Sequence, residues 1–144
     1  MHRVAQTKFG AGLGNCLQAA IASILERKLD TVPDFATEDT GWFQRLYVWC
    51  MQEGLGLLLI NPHDLPRCAL LNCHALLIYS VAGHADNHAV VGRCMLVPEA
   101  GDGEEWCWQT EVVWDPNPQT KKLENLLDIV VFLPGLRPLD RPDA

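Results

Sequence analysis

No apolar run in the chain reaches the ~18 to 20 residues that a membrane-spanning helix requires. The opening residues, Met1 to Lys8, are polar and carry no apolar core of the kind a secretory signal needs. Basic residues are scarce: 11 Lys and Arg stand against 18 Asp and Glu, for a net charge of −7. Phosphate neutralisation needs clustered cations. Only Lys121-Lys122 and the stretch from Arg137 to Arg141 are mildly basic, and neither interleaves aromatics with cations. A membrane or nucleic-acid partner is therefore not expected. The reading is a cytoplasmic protein whose acidity aids solubility.

Internal repeats, low-complexity tracts and obvious linkers are also missing. The six cysteines (16, 50, 68, 73, 94 and 107) form no regular framework, so most are read as free thiols. His63, Cys68, Cys73 and His74 suggest zinc ligands, but no tight C-x2-C knuckle is present and the residues between are apolar. No metal or cofactor is expected. The 144 residues suit a single domain, taken as 1–135, with a loose tail over 136–144.

The strongest local signal is Gly14-Asn15-Cys16-Leu17-Gln18-Ala19-Ala20-Ile21, preceded by Gly10 and Gly12. Leu17, Ala20, Ile21, Ile24 and Leu25 recur at three- and four-residue steps, which is one face of an α-helix. Asn15 suits the N-cap, and Gln18 would complete a capping-box-like pair. Cys16 then opens the helix, where unpaired N–H groups and the positive end of the macrodipole favour a thiolate. The alternative is a small buried core residue, the usual fate of a free cysteine.

Pro33 blocks helical continuation after Leu29-Asp30-Thr31-Val32. A second helix is expected from near Asp39 or Thr40, with Trp42, Phe43, Leu46, Trp49 and Cys50 on one face and Gly54 at its end. Leu55 to Ile60 reads as a short buried strand. Strands follow at Ala75–Val81, His88–Val97, Trp106–Trp114 and Ile129–Leu133, with a hairpin turn at Asp102-Gly103 and a short helical turn over Leu123 to Leu127. Helices first and mainly antiparallel strands after indicate an α+β domain.

A cysteine nucleophile needs a histidine to exchange its proton and a polar group to hold that histidine. Of the five histidines, His88 opens an apolar strand directly after a loop, a place that holds an imidazole firmly at a cleft. A surface or capping histidine is the alternative. If His88–Val97 and Trp106–Trp114 form a hairpin, counting outward from Asp102-Gly103 places Asp115 beside His88 within the ambiguity of the loop. Asp115 in Asp115-Pro116-Asn117-Pro118 can equally be a turn residue. The oxyanion of acyl transfer needs N–H donors. The Cys16 backbone supplies one, and Gln6, the only glutamine upstream of Cys16, is the candidate for a second. Gln18 is the rival for that place.

Gln6, then Gly14-Asn15-Cys16-Leu17-Gln18-Ala19-Ala20, then His88-Ala89-Val90-Val91, then Asp115-Pro116 resembles the Gln–Cys–His–Asp order of papain-like cysteine hydrolases. The branch it resembles most comprises small bacterial and phage proteins similar to the bacteriocin-processing (double-glycine leader) peptidases. Leu29-Asp30-Thr31-Val32-Pro33-Asp34-Phe35 and Asp115-Pro116-Asn117-Pro118 share in that likeness, which spans residues 4 to 135. It implies a papain-like α+β fold with the cysteine helix packed on an antiparallel sheet. It also implies Cys16 as nucleophile, His88 as general base and then acid, Asp115 as its orienter and Gln6 as oxyanion donor. The expected activity is hydrolysis of a peptide, isopeptide or other amide bond in a peptide or protein substrate. The alternatives are glutamine acyl transfer or deamidation, or a non-catalytic peptide- or protein-binding module on the same fold.

Overall fold

The computed structural model describes residues 1–9, 14–36, 41–67, 73–98, 106–117, 119 and 122–135. The Asp102-Gly103 turn, the helix start near Asp39 or Thr40, Cys68 and the tail over 136–144 lie outside them. Two α-helices, α1 (Cys16–Ile24) and α2 (Trp42–Gln52), precede β1 (Gly56–Ile60). Four further strands follow: β2 (Cys73–Val81), β3 (His88–Pro98), β4 (Trp106–Trp114) and β5 (Leu123–Leu133). They form one five-stranded sheet in the order β1-β5-β2-β3-β4. Every neighbouring pair is antiparallel. The architecture is α+β, as the segregation of helix and strand signals requires. No helix among the described residues is long and apolar enough to cross a membrane.

The alternation of side chains along the strands divides the interior in two. Leu76, Ile78, Ala89, Val91 and Val130 meet Leu17, Ala20 and Ile21 of α1 and Leu46 and Cys50 of α2. On the other face Ile60, Ala75, Leu77, Val90, Cys94, Ile129 and Val131 form a second buried group. A 3-10 segment, Pro62–Arg67, touches both β4 and β5, so it runs across the sheet. The expected face of α2 is inward, with Leu46 and Cys50 buried, while Tyr47, Val48 and Met51 are exposed. Gly54 adopts φ +70° just past its end, the left-handed conformation a helix stop needs.

Four expectations change. First, α1 buries more than one face: Ala19, Ala22 and Ser23 are as enclosed as Leu17, Ala20 and Ile21. The cause is that the N-terminal segment and the 29–32 turn wrap the side away from the sheet, as Val4 N–H donates to Ser23 Oγ at 2.9 Å. Second, β1 is an edge strand rather than a buried one. It pairs with β5 alone, and Leu58 and Leu59 are exposed.

Third, Leu123 to Leu127 is not a helical turn but the start of β5. Its register against β2 slips twice, from Ile78↔Asp128 to Tyr79↔Leu126 to Val81↔Leu123. Each slip inserts a residue into β5, so Leu123 and Leu126 both reach the second core at a three-residue spacing. That spacing imitates a helix. Fourth, the capping box does not form. Asn15 stands at the N-cap of α1 without a side-chain cap bond, and Gln18 turns elsewhere.

Candidate active site

Three segments converge at one end of the sheet because β3 and β4 are antiparallel: the start of one lies beside the end of the other. His88 is the first residue of β3 and is 7% exposed, whereas His2, His63, His74 and His84 are exposed. Asp115 follows the last residue of β4. Between them the register steps from Gly92↔Val112 to Val91↔Trp114, so Val113 is an inserted residue. Val113 and Trp114 both pack against the helix-side core. The slip falls two residues before Asp115, so the end of β4 meets the start of β3 in an irregular register.

His88 Nε2–H donates to Asp115 Oδ1 at 2.7 Å. The same oxygen accepts the Asn117 N–H at 2.8 Å. Asp115 is thus a turn residue and a histidine partner at once, and the turn holds its carboxylate in place. Burial of the ring is the largest influence on His88 and disfavours its charge. The hydrogen bonds from Asp115 and Cys16, with the charges of both, overcome it and raise the pKa from 6.5 to about 9. The Cys16 side chain is therefore close enough to act on the ring. Cys16, His88 and Asp115 thus lie in one neighbourhood.

Gln6 is 6% exposed and is carried in by the N-terminal segment, which runs beside the end of β4. Trp114 Nε1–H donates to Val4 O at 3.2 Å, and Gln6 N–H donates to Pro116 O at 3.1 Å. Gln6 Nε2–H donates to Lys8 O at 3.0 Å, and that carbonyl also accepts the Asn15 N–H at 3.3 Å. The Gln6 amide thus lies next to the peptide group that precedes Cys16. A carbonyl can only accept, so Nε2 must be the atom facing Lys8 O. Its second N–H remains for another acceptor, while Oε1 is buried with no hydrogen-bond partner among the described residues. Gln18, the rival donor, is committed to Leu29 O at 3.0 Å and Val32 O at 2.6 Å.

Burial pushes the Cys50 and Cys94 thiols up to about 11, and raises that of Cys73, which faces Cys94 across β2 and β3. Among the described residues no histidine acts on any of these three thiols. Among the described residues no group of three or more His, Cys, Asp or Glu is placed to hold a metal ion. The pairing of the N-terminal segment with residues 114–116 was not read from the sequence, since a single irregular stretch carries no periodicity.

No protein-family model, curated protein or solved structure matches the chain.

Proposed function

We propose that the protein is a cysteine-dependent hydrolase of the papain-like kind that cleaves a peptide, isopeptide or other amide bond. One observation carries the reading: a buried imidazole is held by a carboxylate at 2.7 Å and is acted on by a cysteine at a helix start. With Nε2 engaged by Asp115, Nδ1 is the nitrogen left for Cys16. The proton that Cys16 gives up already rests on His88, and the sulfur attacks the substrate carbonyl carbon. The resulting oxyanion is met by the Cys16 N–H and the free N–H of Gln6 Nε2. His88 returns the proton to the departing amine as the C–N bond breaks, leaving a thioester on Cys16. Water then gives a proton to His88 and attacks the thioester, and the thiol takes that proton back as the acid leaves. The protein is read as acting in the cytoplasm on a peptide or protein.

The test is incubation of the protein with a proteome-derived peptide library, followed by mass spectrometry of the products. The expected result is new peptide termini with the wild type and none with Cys16→Ser. Glutamine converted to glutamate, or captured on an added amine, would instead identify deamidation or transfer through the same thioester. Identical libraries after treatment with either protein would contradict the proposal.

A further inference from the structure

Asn15 has the residue type and position of a helix cap but does not cap. Its side chain is 1% exposed and makes no cap hydrogen bond, so the first N–H groups of α1 receive no side-chain acceptor from it. Oδ1 instead accepts the N–H groups of Thr7 and Lys8, each at 2.9 Å. Nδ2 donates to Thr7 Oγ1 at 3.2 Å and to Gln18 Oε1 at 2.8 Å. All four hydrogen-bonding places of the amide are filled. Gln18 Nε2 passes the chain on to the carbonyls of Leu29 and Val32. The series begins on backbone donors and ends on backbone acceptors, so both amides are fixed in one orientation.

We propose that Asn15 is a positioning residue: its buried amide clamps the Gln6–Lys8 segment to the first turn of the Cys16 helix, setting the Gln6 amide and the Cys16 N–H at one spacing. Gln18 extends the clamp to the 29–32 turn. A capping Asn15 would occupy the N–H groups at the helix start with its own oxygen. Bonded to Thr7, Lys8 and Gln18 instead, it leaves that end to a developing oxyanion and serves as the strut between the two donors. The inference rests on the hydrolase reading above. A buried, fully paired amide is lost at the cost of its orphaned partners, and small displacements at a reacting centre slow chemistry steeply.

The experiment follows, by mass spectrometry, acylation of Cys16 by an activated ester, which passes through an oxyanion, beside iodoacetamide alkylation of each cysteine, which forms none, in the wild type, Asn15→Ala and Gln18→Met. Near-UV circular dichroism confirms that each sample is folded. In folded Asn15→Ala, acylation of Cys16 is expected to slow on the order of 10-fold or more while its alkylation changes little. Gln18→Met should slow the acylation by less. A lowered melting temperature with an unchanged rate of Cys16 acylation would overturn the inference, leaving Asn15 a purely structural residue. If Asn15→Ala does not fold, Gln18→Met and wild-type amide exchange decide: slow exchange at Thr7 and Lys8 is expected, and fast exchange there overturns the clamp. A wild-type Cys16 no faster than the other thiols would instead defeat the hydrolase reading itself.

Discussion

Asp115 Oδ1 is shared between the His88 ring and the Asn117 N–H, and this sharing decides what a substitution there does. Asp115→Asn keeps an acceptor for the turn but removes the negative charge that favours the imidazolium. The His88 pKa should fall from about 9 toward 6.5, read from the ring proton shifts in an NMR titration. Cys16 alkylation at pH 6 should slow by roughly 10- to 100-fold, since the proton-accepting group is then both less basic and less firmly held. The same shift makes stability depend on pH. His88 holds its proton up to about pH 9 in the folded chain, against an ordinary value of 6.5, so the folded state binds more protons between those values. The stabilisation is complete below pH 6.5 and disappears as pH rises through 9. Urea midpoints of the wild type should fall across that window, and those of His88→Gln should fall less.

At the scale of elements, Gly92 shows how tightly the β2–β3 pair is fitted. A Cβ there would lie 2.1 Å from Leu77 Cδ1 and 3.1 Å from Glu111 O, and Leu77 is wholly buried with no space to withdraw. Gly92→Ala should cost about 1 to 3 kcal/mol in chemical denaturation, and a larger residue should cost more. Much at this scale was legible. Long strands with uniform apolar content, such as β2 and β3, and the abrupt change at Asn15-Cys16 are written in local pattern. What local pattern hid were the inserted residues. Val113 shifts the register of β4 against β3 just before Asp115, and the two slips in β5 gave Leu123 and Leu126 a helical spacing. A bulge depends on how the partner strand fits, so one strand read alone does not reveal it. The Asn15-to-Gln18 pair failed for a related reason: both amides found stronger partners in segments brought in by the fold than in the helix end beside them.

At the scale of the whole molecule, the site is assembled from an N-terminal segment, a helix start and the two strands of a hairpin, from Gln6 to Asp115. The common support is the helix-side core, where Leu46 of α2 and Ile21 of α1 are wholly buried against the sheet. Leu46→Ala should cost about 2 to 5 kcal/mol, yet leave the Cys16 alkylation profile of the folded protein unchanged, because Leu46 supports the core without bordering the site. The order Cys, His, Asp along the chain was readable because each sits at an element boundary marked by composition. The place of Gln6 was readable only as a residue type upstream of Cys16; its route past Trp114 and Pro116 belongs to tertiary structure.

The central claim is that Cys16 and His88 share a proton. Its most direct measurement is the rate of iodoacetamide alkylation at pH 6, resolved for each cysteine, in the wild type and in His88→Ala. Cys50 and Cys94, with thiols pushed up to about 11, supply the slow internal reference. The account predicts that Cys16 reacts first in the wild type and slows by about 10-fold or more when the imidazole is removed. Equal reactivity of Cys16 with the buried thiols, or a Cys16 rate indifferent to His88→Ala, would contradict it.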